Sequence, residues 1–115
     1  MNILCYDIEA SNLSADFGIV LTFGSKTVES AEDVEVLNIL DYRDSTGDLI
    51  RAEKRLLKDI TARMLSADVW LGHYSTWYDL PFLNTRLLYH HLPVLPPNFA
   101  QLDTWKIARN RLKLR

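Results

Sequence analysis

The segment Asn2-Ile3-Leu4-Cys5-Tyr6-Asp7-Ile8-Glu9 constrains this chain more than any other: it is apolar until it meets two acids, the pattern of a buried strand ending at an open edge. A loop from Ala10 to Asp16 follows, then a second predicted strand, Phe17 to Phe23, and Gly24-Ser25-Lys26 reads as a turn. Valine, isoleucine and leucine recurring between acids predict a third strand at Val34 to Tyr42. Asp44-Ser45-Thr46-Gly47-Asp48 breaks the pattern and can cap a helix running from about Ile50 to Leu65. In that helix Leu56, Leu57, Ile60 and Met64 repeat at helical spacing, with Arg55, Lys58 and Arg63 opposite. Ala67 to Leu71 is a short fourth strand stopping at Gly72. A second helix begins at Asp79 or Leu80, with Pro81 in its first turn, an apolar stripe of Leu83, Leu87 and Leu88, and an end before Pro93. Leu95-Pro96-Pro97-Asn98 is a rigid extended loop, and Ala100 to Thr104 a last short strand leading into a basic helix from Trp105.

Three strands in succession, then helix, strand, helix, strand, helix, predict an α/β fold: a mixed sheet with flanking helices, opened by a three-strand meander. Parallel strands at its centre would leave Ile3 to Tyr6 and Val69 to Leu71 apolar on both faces, with Cys5 an inert core residue. The functional cleft of such a sheet lies outside the carboxyl ends of its parallel strands, where Glu9 and Gly72-His73 fall. The length of 115 residues, with 48% hydrophobic and 24% charged side chains, predicts a single domain over 1–115 and excludes a disordered tail, a collagen-like fibre and a bundle of membrane helices. Asp7 and Glu9 interrupt the first apolar stretch, so no signal segment is expected at the start, and no run approaches the roughly 18 residues of a membrane span. A lone cysteine cannot close an internal disulfide, which predicts a reduced, cytoplasmic setting. The net charge of −2 hides an asymmetry: residues 1–50 carry ten acids against two bases, residues 51–115 eleven bases against five acids. The tail, Trp105 to Arg115, has five bases and no acid, and reads either as the wet face of a helix or as a phosphate-binding surface.

Asp7 and Glu9 are two apart on a predicted strand, so both side chains emerge on one face. Side by side, the two carboxylates oppose each other's ionisation, and a hard cation such as Mg²⁺ sharing their oxygens removes the penalty. The alternative is a pair of solvent-facing acids at a strand's end. In Gly72-His73-Tyr74-Ser75-Thr76-Trp77-Tyr78-Asp79-Leu80-Pro81-Phe82-Leu83 a strand ends at glycine and an aromatic loop leads into a helix. Asp79 there is either a helix cap or part of an acidic site. Its aromatic neighbours either pack in the core or stack on the bases of a single strand, worth about 1–3 kcal/mol per base. His73 falls at the cleft as a structural or substrate-contacting residue. His90-His91 closes the second helix, where cations suit the dipole.

Asp7-x-Glu9 after an apolar first strand, followed by Gly72-His73-x-x-x-x-Tyr78-Asp79-Leu80-Pro81-Phe82-Leu83, resembles the first two motifs of the DEDD family of 3′–5′ exonucleases. The branch is that of the proofreading domains of family B DNA polymerases and of phage or bacterial ribonuclease H-like exonucleases. Leu102-Asp103-Thr104-Trp105-Lys106-Ile107-Ala108-Arg109 is similar to that family's fifth strand and next helix, so the likeness spans the chain. The resemblance implies a ribonuclease H-like fold, two Mg²⁺ or Mn²⁺ ions, and Asp7, Glu9 and Asp79 as ligands and catalytic residues. It also implies a single-stranded DNA or RNA 3′ end as substrate, and a bacterial or phage origin. In the implied two-metal hydrolysis Asp7 bridges both ions, Glu9 ligates the nucleophile's metal and Asp79 holds the second. His73, Tyr74, Trp77 and Tyr78 then contact substrate, with Leu13 or Phe17 as a wedge near the terminal base. The sequence departs from the family at two places: Tyr74 stands where asparagine is usual, and the third motif, a tyrosine or histidine shortly before an aspartate on a further helix, is absent. The expectation is therefore the N-terminal portion of an exonuclease, or a chain whose third motif comes from another segment or subunit. The other readings are a non-catalytic nuclease-fold module binding nucleic acid or a partner, and a ribonuclease H-like endonuclease. Asp103 is expected to cap the last helix rather than to replace the missing acid.

Overall fold

In the computed structural model, which describes residues 1–111, the first strand is the centre of everything else. Strand β1 (Ile3–Ala10) pairs antiparallel with β2 (Val20–Thr27) and parallel with β4 (Val69–Gly72). Strand β3 (Glu35–Asn38) lies outside β2 and β5 (Gln101–Asp103) outside β4, giving a five-stranded mixed sheet in the order β3-β2-β1-β4-β5. Helices α1 (Leu49–Leu65), α2 (Asp79–Tyr89) and α3 (Thr104–Arg111) alternate with the later strands. The three-strand meander followed by helix–strand alternation is the predicted α/β order. None of the helices among the described residues is long and apolar enough to cross a membrane.

The sheet is buried on one face. Leu4, Tyr6 and Ile8 of β1 turn inward with Val20 and Phe23 of β2 and Trp70 of β4. Against them pack Leu56, Leu57, Ile60 and Met64 of α1, the predicted stripe, and Leu80, Phe82, Leu83 and Leu87 of α2. Leu88, expected in that stripe, lies one step further round α2 and is exposed. Trp70 ties strand to helix by donating its indole N–H to the Met64 carbonyl at 2.8 Å, and stacks on Phe99 with centroids 4.0 Å apart. Asp48 caps α1 as the turn sequence predicts, its carboxylate accepting from the Ile50 and Arg51 amides, an arrangement worth about 1 kcal/mol.

Several local expectations give way to tertiary context. Cys5 is exposed, and Ile3 to Tyr6 are not buried on both faces, because α1 and α2 cover the same side of the sheet and α3 buries none of its described residues. Gly24-Ser25-Lys26 is not a turn but the middle of β2, where ladders to β1 and β3 on either side outweigh local turn preference. The strand begins at Val20 rather than Phe17, since Ser11 closes the preceding loop: its amide donates to the Ile19 carbonyl and its hydroxyl accepts from the Ile19 amide. The third strand is cut short when the Asn38 side chain accepts from the Leu40 amide and starts a 3₁₀ turn over Ile39–Tyr42.

One buried cluster joins both helices to the sheet. Glu53 of α1 is wholly buried and accepts from the Val20 amide at 2.7 Å, from Arg86 Nη2 of α2 at 2.6 Å, and sits 2.7 Å from His90 Nε2. Arg86 Nη1 reaches on to the Ala15 carbonyl at 3.2 Å, so the cluster also pins the loop between β1 and β2. His90, expected to serve the helix dipole, is instead drawn inward by this carboxylate, while His91 stays exposed. Glu53→Leu leaves the Arg86 cation buried without its counter-charge and is expected to cost about 3–5 kcal/mol. Adding Arg86→Met should restore most of that loss; urea unfolding of the single and double variants measures both.

Candidate active site

The acids expected at the site come from two elements that the sheet brings to one corner. Alternation along β1 places Cys5, Asp7 and Glu9 on the open face of the sheet, all exposed. Strand β4 parts from β1 after the Cys5–Leu71 pair, so the amide of Ile8, which lies between the two acids, needs another acceptor. Asp79 supplies it: its Oδ2 accepts from Ile8 at 3.3 Å. Asp79 is the first residue of α2 and the cap position belongs to Tyr78, so its carboxylate is turned toward β1 rather than spent on its own helix.

That carboxyl group is buried, and burial, with the negative charge of Asp7 next in weight, pushes its pKa up to about 6; the Ile8 amide opposes the rise and Asp103 adds to it. The Asp7 charge is therefore felt at Asp79. Glu9 lies further along the strand, where its charge, after burial and Asp79, helps raise the Tyr78 phenol. Among the described residues no three His, Cys, Asp or Glu side chains stand together as one ligating group. Like charges on separate elements repel, and the open face lets Asp7 and Glu9 extend into water.

The loop between β4 and α2 is folded tightly. A Cβ at Gly72 would meet the Ser75 Cβ at 2.6 Å, so only glycine lets the chain turn back there. Tyr74 follows with φ 59°, a left-handed conformation that tyrosine rarely adopts and asparagine tolerates better. Asp103 holds it there. Its carboxylate accepts from the Tyr74 amide at 2.8 Å and from the Thr76 amide and hydroxyl at 3.2 and 2.8 Å. Asp103 also caps α3 through the Trp105 amide at 3.0 Å, the role expected for it. Burial works against ionisation of Asp103, but the bonds from Thr76, Tyr74 and Trp105 outweigh it and hold the carboxyl below the usual range. The loop-holding half of this role was invisible in sequence, because it depends on β5 lying beside β4; an aspartate between a short strand and a helix signals only the cap.

Of the side chains expected to meet substrate, Leu13, Trp77 and Tyr78 line one pocket of about 240 Å³ with Ser14, Ala15, Asp16, Pro81, Phe82 and Thr85. Phe17 is 83% exposed and does not line it. Trp77 is 63% exposed and Tyr74 partly so, which makes both surface aromatics rather than core residues. Tyr78 is half-buried against Phe82, satisfying the packing and surface readings together. His73 is exposed, its Nδ1 2.8 Å from the Thr104 hydroxyl beside β5.

This chain belongs to the RNase_H superfamily, whose RNase_H_2 family model matches residues 4–114. Among solved structures, the family B DNA polymerase from the hyperthermophilic archaeon Pyrobaculum calidifontis aligns with 96% of this chain at a TM-score of 0.73 and 19% identity. The chain spans 16% of that polymerase's length, and a likeness at this identity defines the fold. No curated protein sequence matches.

The raised Asp79 pKa yields a testable sign. The folded chain holds that proton more tightly than the unfolded one, so between the ordinary value of 3.8 and about 6 stability falls as pH rises. Asp79→Asn keeps an acceptor for Ile8 and removes the charge. Thermal unfolding in a chelator is expected to show the variant melting a few degrees above the parent near pH 8, with the difference gone near pH 3.5.

Proposed function

We propose that this chain is the part of a metal-dependent 3′–5′ exonuclease that carries its first two acidic motifs, acting on single-stranded nucleic acid. The observation that supports this most is Asp79: a buried carboxylate aimed at the strand that bears Asp7 and Glu9, with its proton affinity raised by burial and by Asp7. Strongly perturbed carboxyls facing another acid are characteristic of functional sites. The donor set fits a hard divalent ion, because all three groups are carboxylates and such an ion offsets both the burial and the Asp7 charge that raise Asp79. Asp7, Glu9 and Asp79 would hold Mg²⁺ or Mn²⁺, with a fourth carboxylate supplied from outside these 115 residues by a further segment or subunit. When bound, such ions supply charge stabilisation at a scissile phosphodiester and favour attack by water.

The chain's own residues do the rest. Leu13 and Pro81 give the pocket apolar walls, and Trp77 and Tyr78 offer ring faces on which a terminal base can stack. The Ile8 amide orients Asp79, and the Asp103 bonds fix the aromatic loop, so these groups meet a substrate with little rearrangement. A second reading, a nuclease-fold module that binds single strands without cutting, is favoured by one observation: no three ligating side chains are grouped among the described residues.

Calorimetric Mn²⁺ titration separates the two. Asp7→Asn with Glu9→Gln is expected to weaken Mn²⁺ binding roughly tenfold or more, since each lost carboxylate removes charge from the ligand set. Equal affinity in parent and variant would sink the metal assignment. With a labelled single strand, Mn²⁺-dependent shortening from the 3′ end supports the exonuclease; retained binding without shortening identifies the non-cutting module.

A further inference from the structure

We infer that the groove between the 73–78 loop and α3 is a second contact surface for single-stranded nucleic acid, continuous with the pocket beside Leu13 and separate from the carboxylates. This rests on the functional reading above and extends it to residues that the acidic motifs leave unused. Tyr74, Trp77, Trp105, Lys106, Arg109 and Asn110 line a cavity of about 540 Å³, more than twice the 240 Å³ pocket beside Leu13. Three of the six are aromatic, two are cations and none is an acid. Trp77 lines both cavities, so a strand seated beside Tyr78 can continue into the groove without leaving an aromatic surface.

The pairing within the groove matches nucleotide chemistry. Lys106 Nζ lies 5.8 Å from the centre of the Trp77 ring, and Arg109 Cζ 5.3 Å from that of Trp105. A guanidinium over an indole keeps its N–H edges available to phosphate oxygens, while exposed ring faces stack on bases. Tyr74 meets Trp105 edge to face with centroids 4.9 Å apart. Both walls hang from one carboxylate, because Asp103 accepts from the amides of Tyr74 and Trp105. The surface is therefore set before any ligand arrives.

Charge and helix geometry favour a nucleic acid over a protein here. Helix α3 buries no side chain, and its residues 105, 106, 109 and 110 fall within one arc at about 100° per residue. Ile107, 48% exposed, lies outside that arc, and Leu102 belongs to the open sheet face. A protein element seeking apolar surface would cover Ile107 and Leu102; the groove offers aromatic faces and positive charge.

Fluorescence anisotropy in EDTA tests this without requiring cleavage, using labelled deoxythymidine oligomers of about 15 and about 4 nucleotides and a uridine oligomer of the longer size. Arg109→Glu and Trp105→Ala are each expected to weaken the longer deoxythymidine oligomer about 5- to 100-fold and to leave the shorter one nearly unchanged. Trp105→Phe should retain binding. Lys106→Gln with Arg109→Gln should lower the salt slope by about 1.4. The uridine arm reports whether the surface distinguishes RNA from DNA. Thermal unfolding checks that each variant is folded, and Arg109→Glu, on an exposed side chain, carries the test should Trp105→Ala unfold. Parent-like affinity for the longer oligomer in folded Arg109→Glu, or no binding by the parent chain, overturns the groove. Groove-dependent binding without Mn²⁺-dependent cleavage would leave it standing while the exonuclease reading falls; cleavage with groove-independent binding would do the reverse.

Discussion

Everything in this molecule follows from β1 being covered on a single face. The alternation of a strand sends Leu4, Tyr6 and Ile8 under α1 and α2, and by the same geometry sends Cys5, Asp7 and Glu9 to the open side. A strand covered on both faces would have had to bury two adjacent carboxylates. Here they lie in water beside the point where β4 leaves the sheet. The vacated ladder position is then filled by Asp79, which ties the start of α2 to the strand bearing the other acids.

Three buried carboxylates show how differently one chain can compensate the same cost. Glu53 is answered by a full counter-charge in Arg86 and by the Val20 amide, and joins α1, α2 and β2. Asp103 meets no cation among the described residues, but four hydrogen bonds from Tyr74, Thr76 and Trp105 favour its ionised form. Asp79 accepts from one amide across the sheet and faces another acid, and its proton affinity rises. Two of the three are structural devices fully satisfied by the fold. The third keeps a raised proton affinity, since burial and the Asp7 charge outweigh the bond from Ile8.

The aromatic loop links these themes. Gly72 permits the reversal, Asp103 holds Tyr74 in a left-handed conformation, and the result is a row of rings from Tyr78 through Trp77 to Tyr74 and Trp105. The resemblance puts asparagine at the Tyr74 position, and the backbone there explains the preference: asparagine adopts that conformation at lower cost. A tyrosine in its place trades backbone ease for a surface ring.

Much of this was legible in the chain before folding. Periodicity placed α1 and α2 closely, the strand order followed, and Asp7, Glu9 and Asp79 stood out from spacing and from likeness to a nuclease family; these signals are local. What misled was also local. Gly24-Ser25 reads as a turn until two neighbouring strands claim it, and Cys5 reads as core until both helices settle on the opposite face. The amino-acid order determined which side chains share a face, because that depends only on the repeat of helix and strand. Which face is covered, that Glu53 and Arg86 meet 33 positions apart, and that Asp103 holds Tyr74, 29 residues earlier, were decided by the tertiary structure alone. Those contacts join elements whose proximity no short stretch of sequence encodes.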